Sequence, residues 1–104
     1  MNIKTSEILN KIAAEIESAL NEQDYASPNE YIPKRIRFLA AQLSSRDRYA
    51  AEKAYKIAEL ATIFYSSRKH AKYPGGPKAL WAEMTYDLLE RIRSQANTRQ
   101  FHGD

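Results

Sequence analysis

Ile8-Leu9-Asn10-Lys11-Ile12-Ala13-Ala14-Glu15-Ile16-Glu17-Ser18-Ala19-Leu20 decides how the rest of the chain is read. Its apolar residues Ile8, Leu9, Ile12, Ala13, Ile16 and Leu20 recur at steps of one, three and four, which puts them on one stripe of an α-helix. Glu7, Lys11, Glu15, Glu17 and Glu22 fall elsewhere around it. A helix with one apolar stripe has to bury that stripe against another element.

Working outward, the same period returns three times. Ser27-Pro28-Asn29-Glu30 has the form of a capping box that starts a helical turn. Pro33 then imposes a kink or a fresh start at Lys34, and the second helix runs to Leu43, burying Ile36, Leu39, Ala40 and Leu43. The polar stretch Ser44-Ser45-Arg46-Asp47 leads into the longest helical pattern, Arg46 to His70, with Ala50, Ala54, Ile57, Ala58, Ala61, Phe64 and Tyr65 as its core stripe. Tyr73-Pro74-Gly75-Gly76-Pro77 cannot propagate a helix and breaks the pattern. Pro77 at a first helical position opens the fourth helix, Lys78 to Ala96, with Trp81, Met84, Thr85, Leu88 and Ile92 in its stripe.

Valine is absent and no run alternates in the manner of a strand, so no sheet is expected. Hydrophobic residues at 43% and charged residues at 28% are those of a chain that folds. The expected fold is all-α, a small antiparallel bundle or irregular array of about four helices. It forms one domain over residues 1–104, with 1–4 and 97–104 fraying.

Several chemistries are disfavoured. With no cysteine there is no disulfide, thiolate nucleophile or Cys-based zinc site. Ser66-Ser67-Arg68-Lys69 matches S-x-x-K but lacks the companion motifs of penicillin-recognising enzymes. The two histidines, His70 and His102, assemble no triad or metal cluster. Glu83, Asp87 and Glu90 make an acidic stripe with magnesium-like chemistry, yet a solvated face with Asp87 paired to Arg91 explains it equally well. Gly75-Gly76 is followed by Pro77, which removes an amide donor from any phosphate cradle. The expectation is a non-enzymatic protein with no cofactor and no metal. The longest apolar stretch, Leu60 to Tyr65, is too short to span a bilayer, and Met1 to Glu7 lacks the apolar core of a signal peptide. No membrane partner and a cytoplasmic location are expected.

Charge carries the functional reading. The formal net charge is +3, but residues 1–33 hold two basic and six acidic residues, residues 34–78 eleven and three, and residues 79–104 three and four. A middle third so biased attracts phosphate polymers, anionic protein surfaces or acidic membranes. Its cations cluster as Lys34, Arg35 and Arg37, then Arg46 and Arg48, then Arg68, Lys69 and Lys72. Tyr73 adjoins the last cluster and is a candidate to stack on a base. Arg68 and Lys69 also read as cations complementing a helix C-terminus.

Signatures of the helix-turn-helix, RNA-recognition motif, zinc finger and KH loop are missing, so contact would be led by the phosphate backbone. Seven tyrosines exceed what one small core needs: Tyr25 and Tyr31 flank the first loop, Tyr49 and Tyr55 lie off the apolar stripe of the third helix, and Tyr73 sits on the break. Two functions of different class follow. One is a helical binding module in nucleic-acid metabolism. The other is a small adaptor or inhibitor docking on an acidic surface of a larger protein, including an enzyme that itself handles nucleic acid. Bundles of this size also self-associate, so a homo-oligomer stays within the expected partners.

Overall fold

The first helix, α1 (Thr5–Leu20), starts after Lys4 and buries Leu9, Ile12, Ala13, Ile16 and Leu20. The computed structural model describes residues 4–23, 27–66 and 68–103. Tyr25 and Ser67, and with them part of the first loop and of the S-x-x-K motif, lie outside the described residues.

The second helix, α2 (Tyr31–Leu43), begins earlier than the sequence predicts. Asn29, rather than Ser27, supplies its cap: the Asn29 Oδ1 accepts from the amides of Tyr31 (2.9 Å) and Ile32 (3.2 Å). Pro33 therefore falls within the first turn, where its missing N–H costs no helical hydrogen bond, and neither kink nor restart at Lys34 is needed. Ile32 joins Ile36, Leu39, Ala40 and Leu43 in the core.

The third helix, α3 (Arg48–Phe64), is capped by Asp47, whose Oδ1 accepts from Ala50 N at 2.9 Å. All seven residues of its expected stripe are buried. The helix does not reach His70. At Tyr65 the chain turns, so that the Tyr65 carbonyl accepts from Asn29 N (3.0 Å) and its hydroxyl donates to the Leu20 carbonyl (2.8 Å). Ser66 Oγ then donates to the Ile63 carbonyl and accepts from Lys69 N, closing one helix and capping the next. That next element, α4 (Lys69–Lys72), is a single turn.

Tyr73 to Gly76 form a turn with Gly76 N donating to the Tyr73 carbonyl, and Gly75 sits at φ +88°. A Cβ there would lie 2.6 Å from that of Ala79, so glycine is required for conformation and for space. Beyond it, α5 (Gly76–Ala82), a π-helical segment (Glu83–Leu88) and α6 (Leu89–Phe101) form one continuous rod. Gly76 rather than Pro77 is its first residue. The π turn lets Met84 and Leu89, five residues apart, share the core face with Leu80, Leu88, Ile92 and Ala96. Thr85, expected in the stripe, is only half-buried and donates to the Trp81 carbonyl.

The tail is also ordered where fraying is expected, since α6 continues through residues 97–101. The cause lies across the molecule: Arg99 Nε donates to Asp47 Oδ2 at 2.6 Å and Gln95 Nε2 to the same oxygen at 2.8 Å. Arg99 also reaches the Arg46 carbonyl at 3.1 Å. Three groups of contacts give the topology. Tyr65 ties the ends of α3 and α1 together, Arg93 pairs with Glu17 at 3.2 Å, and Asp47 holds the far end of α6. The rod thus runs antiparallel to both α1 and α3, and α2 lies antiparallel between α1 and α3 on the other side. Four long helical elements and one short turn, with no strand among the described residues, form a small all-α bundle of 45 × 23 × 20 Å.

Candidate nucleic-acid interface

The basic residues on α2 divide between two sides of the helix because successive positions turn by about 100°. Arg35 lines a groove against α1, where Lys11 and Arg46 share the walls with Glu7 and Glu15. Lys34 and Arg37 line a different cleft of about 520 Å³, between the start of α2 and the end of α3. Lys69, from α4, completes that cleft, with Thr62 and Ser66 beside it and Glu30 as its one acidic lining residue.

The candidate cations are thus divided. Lys34, Arg37 and Lys69 converge although 32 positions separate Arg37 from Lys69 in sequence, and this convergence depends on α3 ending at Phe64. Arg35 and Arg46 lie in the α1–α2 groove, where carboxylates oppose them. Arg48 is exposed at the first residue of α3, and Arg68 and Lys72 are exposed on either side of Lys69.

Pairing separates these residues from the other cations. Lys56 pairs with Glu59, Arg91 with Asp87, Arg93 with Glu17 and Glu90, and Arg99 with Asp47. Among the described residues no ion pair engages Lys34, Arg35, Arg37, Arg46, Arg48, Arg68, Lys69 or Lys72.

Tyr73 is placed differently from a free stacking group. Its ring packs against the core, and its hydroxyl donates to Glu83 Oε2 at 2.7 Å. That hydrogen bond, reinforced by partial burial and the Glu83 charge, holds the phenol above its ordinary pKa. The acidic stripe is engaged along its length: Glu83 by Tyr73, Asp87 by Arg91 at 2.5 Å as expected, and Glu90 by Arg93 at 3.0 Å. No group of three or more acidic or histidine side chains among the described residues is placed to hold a metal. His70 lies half-buried with Nδ1 donating to the Ser66 carbonyl at 2.8 Å.

Sequence reasoning missed two features. Phe38 is exposed on α2, two turns after Tyr31, and its position off the core stripe was legible from the helical period alone. The Asp47–Gln95–Arg99 cluster had no local signal, because its members are 48 and 52 positions apart.

Compared with known proteins, the chain matches no family model, no curated protein and no solved structure. No helix among the described residues is long and apolar enough to cross a membrane.

Proposed function

We propose that this protein is a non-enzymatic helical module that binds the phosphate backbone of nucleic acid through the Lys34–Arg37–Lys69 cleft, with Arg68 and Lys72 at its edge. The observation that carries this reading is the gathering around one cleft of cations from α2 and α4 that have no ion pair among the described residues. Cations that a fold keeps for itself are paired, as Arg93 and Arg99 are here. Cations left in water beside hydroxyls are suited to release counterions from a polyanion. Arg35, Arg46 and Arg48 extend the positive surface and add to long-range attraction without entering the cleft.

The test is titration of labelled single- and double-stranded oligonucleotides over a range of salt. Affinity should fall steeply with salt, and the triple variant Lys34→Glu, Arg37→Glu, Lys69→Glu should lose binding and flatten the salt slope by about two to three. Full binding by that variant removes the cleft from the site. Capture from a native extract, with and without nuclease, separates this reading from docking on an acidic protein: a partner retained after nuclease would favour docking.

A further inference from the structure

The solvent face of α2 carries aromatic rings where a helix surface ordinarily carries polar groups. Tyr31 is 62% exposed and Phe38 60% exposed, and both point away from the core stripe Ile32, Ile36, Leu39 and Leu43. Seven residues, or two helical turns, separate them, so they stand on one line about 10 Å apart. Lys34 stands between them along the helix axis but is turned about 40–60° from their line toward α3, where with Arg37 it lines the cleft that neither ring lines, and Arg35 lies on the α1 side. Neither ring contacts another aromatic ring, and neither Lys34 nor Arg37 has a carboxylate partner among the described residues.

Exposing two large rings in one file costs apolar hydration that a bundle needing only solubility would avoid. Alternating cations and open rings are, however, what a single strand requires: its bases present free π-faces while its phosphates run alongside. A duplex offers no such faces, because its bases are stacked on one another. The spacing also fits, since about 10 Å corresponds to roughly three nucleotides at about 3.4 Å per stacked step.

We infer that α2 is a stacking platform for single-stranded nucleic acid, with Tyr31 and Phe38 each receiving a base and Lys34, Arg37 and Lys69 holding the intervening phosphates. This rests on the proposed function and narrows it from phosphate polymers in general to single strands. It also assigns stacking to Tyr31 and Phe38 in place of Tyr73, whose ring is committed to the core and to Glu83.

The experiment compares a labelled oligothymidine with a duplex of equal length, using the full chain, the double variant Tyr31→Ala, Phe38→Ala and the double variant Tyr31→Trp, Phe38→Trp. The native chain should prefer the single strand. The alanine pair should weaken oligothymidine binding by roughly 30-fold or more while leaving duplex binding and the salt slope unchanged, and the tryptophan pair should retain it. Both rings are exposed, so circular dichroism of all variants should match the native chain.

Equal oligothymidine affinity of the alanine pair and the native chain overturns the platform, as does a native preference for duplex. Either result leaves the cleft reading standing, because that reading is tested separately by the Lys34, Arg37 and Lys69 reversals. Failure of the native chain to bind either probe at low salt overturns both. Loss of a dimer in the alanine pair by light scattering, with oligothymidine binding intact, would assign the face to self-contact and also overturn the platform.

Discussion

Arg99 and Arg37 are both arginines on long helices, yet the molecule uses them in opposite ways. Arg99 reaches from α6 to a carboxylate that is almost wholly buried, and it shares that carboxylate with Gln95 and the Ala50 amide. Arg37 stands in water at the rim of a cleft with no carboxylate paired to it among the described residues. The first arrangement is one a fold must complete, because a buried charge without partners is strongly destabilising. The second asks nothing of the fold, so its charge stays available to a ligand. Residues that hold the bundle together and residues proposed to meet a partner are therefore different sets, and variants should separate them.

The largest effect on stability is expected at the paired end. Asp47→Ala removes the cap of α3, the ion pair with Arg99 and the acceptor of Gln95 in one change. Because Arg99 is about one-third exposed, part of its loss is relieved by water, and a cost of about 3 kcal/mol is expected in chemical denaturation. Hydrogen exchange should show residues 97–101 opening first in that variant, which is the fraying the sequence by itself predicts.

The next effect is at Tyr65. Replacing it by phenylalanine leaves the buried Leu20 carbonyl without its donor, at about 1–2 kcal/mol by the same measurement. Burial, with help from the Glu22 charge, pushes the Tyr65 phenol up to about 12. The folded pKa is above the ordinary value of 10.0, so this stabilisation is complete below that pH and lost as pH rises through the interval to about 12. A spectroscopic titration of native chain against Tyr65→Phe should isolate the late-ionising phenol.

Asp47 gives the opposite pH dependence. Burial raises its pKa, but the Ala50 amide, Arg99 and Gln95 together outweigh burial and hold it below the ordinary value of 3.8. A depressed pKa contributes stability above that value, which is lost as pH falls below it. Acid denaturation of the native chain should therefore be steeper than that of Asp47→Asn.

The smallest effect on stability is expected where the effect on binding is greatest. Reversing Lys34, Arg37 and Lys69 should change unfolding free energy by no more than about 0.5 kcal/mol per site, since none has an ion pair among the described residues. A large destabilisation there would erase the distinction between the two sets of charges.

Much of this was legible from residue spacing. The buried stripes of α1 and α3, and the break at Tyr73 to Gly75, follow from the helical period and from residues that do not propagate a helix. The end of α3 was misplaced because nothing in Ser66 to His70 forbids a helix. Only the packing of Tyr65 against α1 and the Asn29 amide makes turning there the better choice. Likewise the tail carries no apolar period, and its order comes from Arg99 and Gln95 meeting a carboxylate half the chain away.

By itself the sequence determined an all-helical chain, the residues that face its core and a basic middle third, because each of these is a matter of local period and composition. Tertiary structure alone decided which cations share a cleft, which are spent on buried carboxylates and which aromatic rings remain in water. Those outcomes depend on contacts between helices, and the spacing of residues along one helix does not encode them.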